Sequence, residues 1–369
     1  MQTNPDVHVH AEIRGRVGCL TLARPKALNA LSLAMIRDLT AALMSWREDP
    51  QVLAVAIRGT GKEGPFGAFC AGGDIRFFHQ SALSGDPALE DFFTEEYALN
   101  HLIHTYPKPY IALMDGICMG GGMGISQGAS LRIVTERSKL AMPETNIGLF
   151  PDVGGGYFLS RCDGHLGEYL GLTGRVLAGA DAVSAGLADA LVDSGRLVAL
   201  WESLGETPFE TGEAVERWCL THKHRETPRA PWSATEVDRV FGLASVPAIV
   251  EALEADASDW ARETAAILRQ RSPLMLHVVL EQIRRARGMS LAQDLRMERN
   301  LVRHCFHTRH LQRQGVSSET VEGIRALAVD KDHQPQWNPA RIEDVSPEMV
   351  EGFFSEPWPA WAHPLAHLD

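Results

Sequence analysis

Nowhere in these 369 residues do 18 apolar residues run unbroken, so the chain offers no segment suited to cross a bilayer as a helix. Cysteine is sparse: Cys19, Cys70, Cys118, Cys162, Cys219 and Cys305 lie 44 to 86 residues apart with no C-x-x-C. That spacing excludes a zinc ribbon and a dense disulfide framework, and the six read as reduced, mostly packed thiols. Basic residues are in deficit, 35 against 47 acidic, for a formal net charge of −12. Broad electrostatic binding to nucleic acid or to an anionic membrane is therefore not expected, and an anionic ligand must meet a local basic cluster. The first ten residues, M-Q-T-N-P-D-V-H-V-H, have no basic n-region, apolar h-region or Arg-rich amphipathic pattern, which makes a cytoplasmic protein the expectation. Internal repeats and low-complexity tracts are missing too.

What is present describes an ordinary globular protein, 45% apolar with a mean hydropathy of −0.12 and long enough for two or three domains. Val7 to Ile13 and Val17 to Leu22 alternate around R-G-R and predict a hairpin, while Val52 to Ile57 and Tyr110 to Met114 are short apolar runs typical of buried strands. Between them Ile36, Leu39, Leu43 and Trp46 recur at helical spacing behind Ser32 as N-cap. Strands alternate with helices to about Asp193. Beyond it Leu197–Leu204, Glu236–Leu253 (broken near Pro247), Asp259–Gln270, Leu274–Arg287 and Ala292–Gln312 fit helices. Thr207 to Pro231 reads as a loop-bearing connection, and Asp332 to Asp369, rich in Pro and Trp, as a tail that wraps rather than folds alone. The expected organisation is a ligand-binding α/β core over 1–195 and a helical region with its tail over 196–369.

The most informative stretch runs from Met142 to Gly156, M-P-E-T-N-I-G-L-F-P-D-V-G-G-G. It fixes Glu144 and Asp152 beside prolines and among apolar and glycine residues, where an ionised acid is expensive to keep. Two patterns elsewhere point to other chemistry and fail on context. Gly59–Gly64 matches G-x-G-x-x-G after a strand, but P-F-G-A-F-C follows where a dinucleotide site needs a helix. Gly124–Gly128 matches G-x-S-x-G, yet Ser126 sits some ten residues past the nearest strand, so a helical serine is expected in place of a nucleophile elbow. By contrast, Phe69-Cys70-Ala71-Gly72-Gly73-Asp74-Ile75 and Met119-Gly120-Gly121-Gly122-Met123-Gly124 each follow a strand and precede a helical pattern. Both place free main-chain N–H groups at helix starts, and two such amides aimed at one spot form an oxyanion hole.

F-C-A-G-G-D-I, M-D-G-I-C-M-G-G-G and R-P-K-A-L-N-A-L at 24–31 together resemble the crotonase (enoyl-CoA hydratase/isomerase) superfamily over about Val17 to Asp193. Within it A-M-P-E-T through F-P-D-V-G-G-G, Glu95-Glu96-Tyr97 and E-G-I-R-A-L-A-V-D-K-D-H-Q-P-Q-W at 322–337 are similar to the 3-hydroxyisobutyryl-CoA hydrolases, extending the likeness across nearly the whole chain. The resemblance implies an α/β fold, a crotonase-type ββα spiral core with a C-terminal helical region, and an oxyanion hole from the amides of Gly73 and Gly121. Hydratases of the superfamily use two glutamates; Gly124 stands at one position here and Glu144 at the other, which speaks against efficient hydration.

The implied chemistry is hydrolysis of a short 3-hydroxyacyl-CoA thioester, in valine breakdown. Glu144 would attack the thioester or take a proton from an attacking water; the residues leave both routes open. Asp152 would meet the substrate's 3-hydroxyl or orient water and leaving group, and Glu96 would contact the substrate end of the pocket. Arg24, Lys26, Ala27 and Leu28 belong to the loop that in the family lies against the adenine nucleotide; Ala71, Asp74 and Lys331 complete the expected binding set, with Arg284, Arg285 and Arg287 weaker candidates for phosphate. His304, His307 and His310 recur every three residues, but that spacing drifts around a helix and no adjacent acid completes a set, so no metal is expected. No cofactor is expected beyond the CoA carried by the substrate. Superfamily members often form trimers, which leaves homo-oligomerisation open. The alternatives are a hydratase or isomerase of the same superfamily and an inactive CoA-binding protein.

Overall fold

The computed structural model describes residues 7–224 and 230–369. Residues 1–6, part of the N-terminal reading above, and 225–229, part of the Thr207–Pro231 connection, lie outside the described residues. By contacts the chain divides into two compact units that interleave along the sequence: Met1–Gly73, Ala98–Ala141 and Val176–Pro231 form one, and Asp74–Tyr97, Met142–Arg175 and Trp232–Asp369 the other. The expected division fell sequentially at residue 195.

The first unit holds the strands: β1 (Val9–Arg14), β2 (Val17–Leu22), β3 (Ala54–Gly59), β4 (Ala68–Cys70), β5 (Tyr110–Met114), β6 (Ile117–Met119), β7 (Leu131–Val134), β8 (Lys139–Ala141), β9 (Leu177–Ala178) and β10 (Ala190–Leu191). One sheet runs β1-β2-β3-β5-β7-β10 and a second β4-β6-β8-β9. The expected hairpin forms, with Val9 opposite Leu22 and Arg14 opposite Val17. From β2 onward the larger sheet is parallel, and its inner strands are buried along most of their length, as continuous apolar runs require. Val17, Ile111 and Leu131 pack with Trp201 and Leu204 of the helix Leu197–Glu206 in one apolar cluster. Burying each such side chain contributes roughly 1.5–3 kcal/mol relative to exposure.

Ser32 accepts the Met35 N–H and opens the helix Leu33–Arg47 as expected. Several expected bounds shift, and the helix expected to reach Gln312 ends at Phe306. The predicted strand at Val52 starts at Ala54, and the predicted break at Pro247 falls earlier, between the helices Ala234–Phe241 and Val246–Glu254, with the proline in the first turn of the second, where its missing N–H costs nothing. The helix Gly212–Leu220 was not expected: it lies inside the connection read as a loop, capped by Thr211 and burying Val215 and Cys219.

The second unit is helical. Its two longest C-terminal helices are Pro273–Ala286 and Leu291–Phe306, the latter opened by a capping box between Ser290 and Gln293. The tail adds the short helix Pro347–Phe353 and buries Phe353, Leu365 and Leu368.

Candidate active site

In the second unit three acids from distant parts of the chain are buried: Glu96, Glu144 and Asp152, at 2%, 6% and 5% exposure. Glu96 and Tyr97 come from the helix Ala88–His104. Glu144 opens the 3₁₀ turn Glu144–Ile147, whose main chain is tied down by Gly148 and Leu149 N–H groups donating to the Glu144 carbonyl. Asp152 precedes the helix Gly155–Leu159, and its carbonyl accepts the Gly155 N–H at 2.8 Å. The Tyr97 hydroxyl donates to Asp152 Oδ2 at 2.8 Å.

Burial dominates the electrostatics. It pushes Asp152 up to about 6, with the Tyr97 hydrogen bond pulling the other way. Glu144 stands well above the usual carboxylate range through burial and then the Asp152 charge; Glu96 does so through burial, then the charges of Asp152 and Glu144. Each charge formed makes the next harder to form, and the protons the three carboxyls hold belong to the cluster. Glu96 Oε1 and Glu144 Oε2 are buried and have no hydrogen-bond partner among the described residues. Unsatisfied oxygens of that kind are costly unless a ligand or water meets them. The arrangement can accept or deliver a proton near neutrality and can receive a hydroxyl.

In the first unit the two glycine loops adjoin. Gly72, at φ 106°, lies where a Cβ would sit 3.3 Å from Met119 O and 3.6 Å from Gly121 N. Gly73 forms a bridge with Leu31, and Gly121 is the first residue of the helix Gly121–Gln127. The first residue of a helix has no intrahelical acceptor for its N–H. The Arg24–Leu28 segment is stitched alongside: Ala71 N–H donates to Leu28 O at 3.0 Å, and Arg24 Nη1 to Ala30 O at 3.0 Å. Pro25–Ala27 form a 3₁₀ turn that leaves Lys26 exposed.

Asp74 and Lys331 complete the expected binding set. Asp74 caps the helix Ile75–Ser84 by accepting the Phe77 N–H, and Lys331 is exposed with φ 58°. The three arginines are engaged within the fold: Arg284 donates to the carbonyls of Leu243 and Ala244, Arg285 pairs with Glu281 and Glu351, and Arg287 pairs with Glu168. His304 bonds to Ser355, and His307 to Glu90. Ser126 is buried and donates back to Gly122 O at 2.8 Å, as a helical serine does. After Gly59 a turn leads directly into β4, so no helix opens on those glycines.

Sequence reasoning assigned no role to two residues at these sites. Tyr97 is one; its neighbour Glu96 drew the attention, and its partner lies 55 residues away. Asn29 is the other: fully buried at φ 56°, it donates to Thr60, Ala68 and Phe69 carbonyls and accepts from Arg24 N–H, locking the 24–30 loop against the strand that leads to Gly73. The asparagine inside the R-P-K-A-L-N-A-L motif, a residue type that tolerates positive φ, was the available signal.

The family model described as enoyl-CoA hydratase/isomerase matches residues 17–354. The mitochondrial 3-hydroxyisobutyryl-CoA hydrolase of Xenopus tropicalis is 41% identical over 92% of this chain and 87% of its own length. A probable 3-hydroxyisobutyryl-CoA hydrolase of Arabidopsis thaliana is 39% identical over 94% and 91%. The solved structure of a carnitinyl-CoA dehydratase from Mycobacterium thermoresistibile superposes with a TM-score of 0.85 at 36% identity, covering 95% of this chain and 97% of the other. The expected crotonase-type fold is the fold found. The expectation of a cytoplasmic protein is overturned, because the vertebrate relatives are mitochondrial by name; the composition of the first ten residues carries no weight against that.

Proposed function

The chain belongs to the enoyl-CoA hydratase/isomerase family, and from that premise we propose that it hydrolyses a short 3-hydroxyacyl-CoA thioester, 3-hydroxyisobutyryl-CoA to 3-hydroxyisobutyrate and CoA, a step of valine breakdown. The observation that carries the reading is the trio of buried acids Glu96, Glu144 and Asp152, in a chain 41% identical to a hydrolase of that name.

In the proposed reaction the carbonyl oxygen of the thioester becomes an oxyanion, and the amides of Gly73 and Gly121 stabilise that charge more than the neutral substrate. Each such donor is worth roughly 2.7–4 kcal/mol by comparison with other oxyanion holes. Glu144 supplies the attack, as nucleophile through a mixed anhydride or as base on a water; either route consumes one water, forms a C–O bond, breaks the C–S bond and leaves the proton on the thiol. Both roles use the ionised carboxylate, which burial and the Asp152 charge make strongly basic once its proton has left. Asp152, held by Tyr97, accepts a hydrogen bond from the 3-hydroxyl, and Glu96 borders the acyl end. Arg24 and Lys26 meet the nucleotide of CoA, with Ala27, Leu28 and Ala71 beside it. We assign no resident cofactor; CoA enters as part of the substrate.

A second reading has one observation behind it, the dehydratase whose structure superposes so well. Against it stands Gly124, which the family resemblance sets at the position of the first of the two hydratase glutamates. A panel of 3-hydroxyacyl-CoAs and enoyl-CoAs separates the two. Free thiol from 3-hydroxyisobutyryl-CoA with a persistent enoyl absorbance from crotonyl-CoA is expected; rapid loss of the enoyl band without thiol would favour hydration.

A further inference from the structure

The turn that carries Asp152 is strained and is held from outside. Val153, a β-branched residue, sits at φ 57°, in the left-handed region that such side chains avoid, and Gly154 follows at φ 86°. Strain of this kind persists only where the surroundings impose it. Here they do so through the main chain. Glu298, fully buried, accepts the Gly154 N–H on Oε2 at 2.7 Å and the Gly156 N–H on Oε1 at 2.9 Å. Asp294, one helical turn earlier, accepts the Tyr157 N–H at 2.7 Å. Gln282 Nε2 donates both to Pro151 O at 2.7 Å and to Glu298 Oε1 at 3.0 Å. Main-chain groups on both sides of Asp152 are thus anchored to buried side chains more than 120 residues away in sequence.

The same helix, Leu291–Phe306, also fixes the other end of the Tyr97–Asp152 bond. Arg299, next to Glu298, donates to Thr94 Oγ1 at 3.0 Å and pairs with Glu90, both on the helix that carries Glu96 and Tyr97. Two buried acids four residues apart are a costly way to stabilise a turn that lacks a task. We infer that Glu298 is a positioning residue for Asp152, acting through the Gly154 and Gly156 amides to hold the strained turn that aims the Asp152 carboxylate. The inference rests on the role given to Asp152 above. Burial holds the Asp294 carboxyl up to about 7, and Glu298, with Asp294 and Asp152 beside it, well above the usual range. Both Glu298 oxygens receive a main-chain N–H whatever its charge. A glutamine there must turn an NH₂ donor toward one of those amides.

The test is a double-mutant cycle on thiol release from 3-hydroxyisobutyryl-CoA, with wild type, E298Q, D152N and the double variant, each checked for folding by circular dichroism. E298Q is expected to lower kcat at least about tenfold with KM within about threefold, and to cost less than about twofold when D152N is already present, since residues acting as one unit are not additive. A structural lesion would instead cost the same factor in both backgrounds, and that result, or wild-type kcat in E298Q, overturns the inference. D152N turning over at the wild-type rate defeats the role of Asp152 itself and takes this inference with it, so the two failures are distinct. Should E298Q not fold, E298D takes its place: it keeps the carboxylate but draws it back from the Gly154 and Gly156 amides, and the same non-additivity with D152N is required of it.

Discussion

Replacing Tyr97 by phenylalanine removes one hydrogen bond and leaves the ring where it packs, edge-on to Phe93 at 6.1 Å. The lost donor is the hydroxyl 2.8 Å from Asp152 Oδ2, in a place neither residue shares with solvent. That bond favours the ionised form, so its loss must raise the Asp152 carboxyl above the value of about 6 at which burial and Tyr97 together hold it. A hydrogen bond to a charged group contributes about 1.5–3 kcal/mol, and one pKa unit corresponds to about 1.4 kcal/mol, so a rise of about one to two units follows. If Asp152 works as a carboxylate, the acid limb of kcat/KM moves to higher pH by that amount. The variant then loses about two- to tenfold in rate at pH 7 and recovers toward wild type by about pH 9. Initial rates of thiol release between about pH 5 and 9 measure the limb directly. A limb that stays in place, or moves to lower pH, refutes the reasoning about Asp152.

The stability of the acid cluster has a sign that opposes its use. An unfolded glutamate titrates near about 4.3, whereas burial and the neighbouring charges hold Glu96 well above that, so the folded state binds more protons in between. The stability linked to its protonated form is whole below the unfolded value and is lost as pH rises toward the folded one. Glu96→Gln should therefore melt close to wild type near about pH 4.5 and at a higher temperature than wild type at pH 8; thermal melts showing the reverse order would contradict the burial argument. At Gly156 a Cβ would fall 2.4 Å from Asp294 Oδ1. Gly156→Ala should cost about 1–3 kcal/mol by overpacking, and an unchanged melting temperature would show that the Asp294 contact yields freely.

Much of the architecture is legible locally. Ser32, Ser258, Ser272 and Ser290 each accept a main-chain N–H at a helix start, so their helices are announced by the capping residue. Paired glycine loops, and carboxylates flanked by apolar residues, likewise point to chemistry before any coordinates are known. What local pattern cannot supply is the partner across the chain. Glycines at 154 to 156 read as turn formers; that Gly156 is small because an aspartate 138 residues on lies against it is invisible until the helices pack. Periodicity also assigns charges to solvent, yet Asp294, Glu298 and Arg299 are interior, each retained by hydrogen bonds to segments that precede it by more than 130 residues. The helix Gly212–Leu220 was hidden by neighbouring prolines that bound it without entering it.

The central claim, that Glu144 delivers the attack on a thioester, is tested most directly by thiol release from 3-hydroxyisobutyryl-CoA in wild type and Glu144→Gln side by side, with circular dichroism to establish that both are folded. The account predicts robust release by the wild type and a loss of about 10²–10⁴-fold in the variant, the range expected when a positioned acid or base is removed. A folded Glu144→Gln protein that releases thiol at the wild-type rate would contradict it.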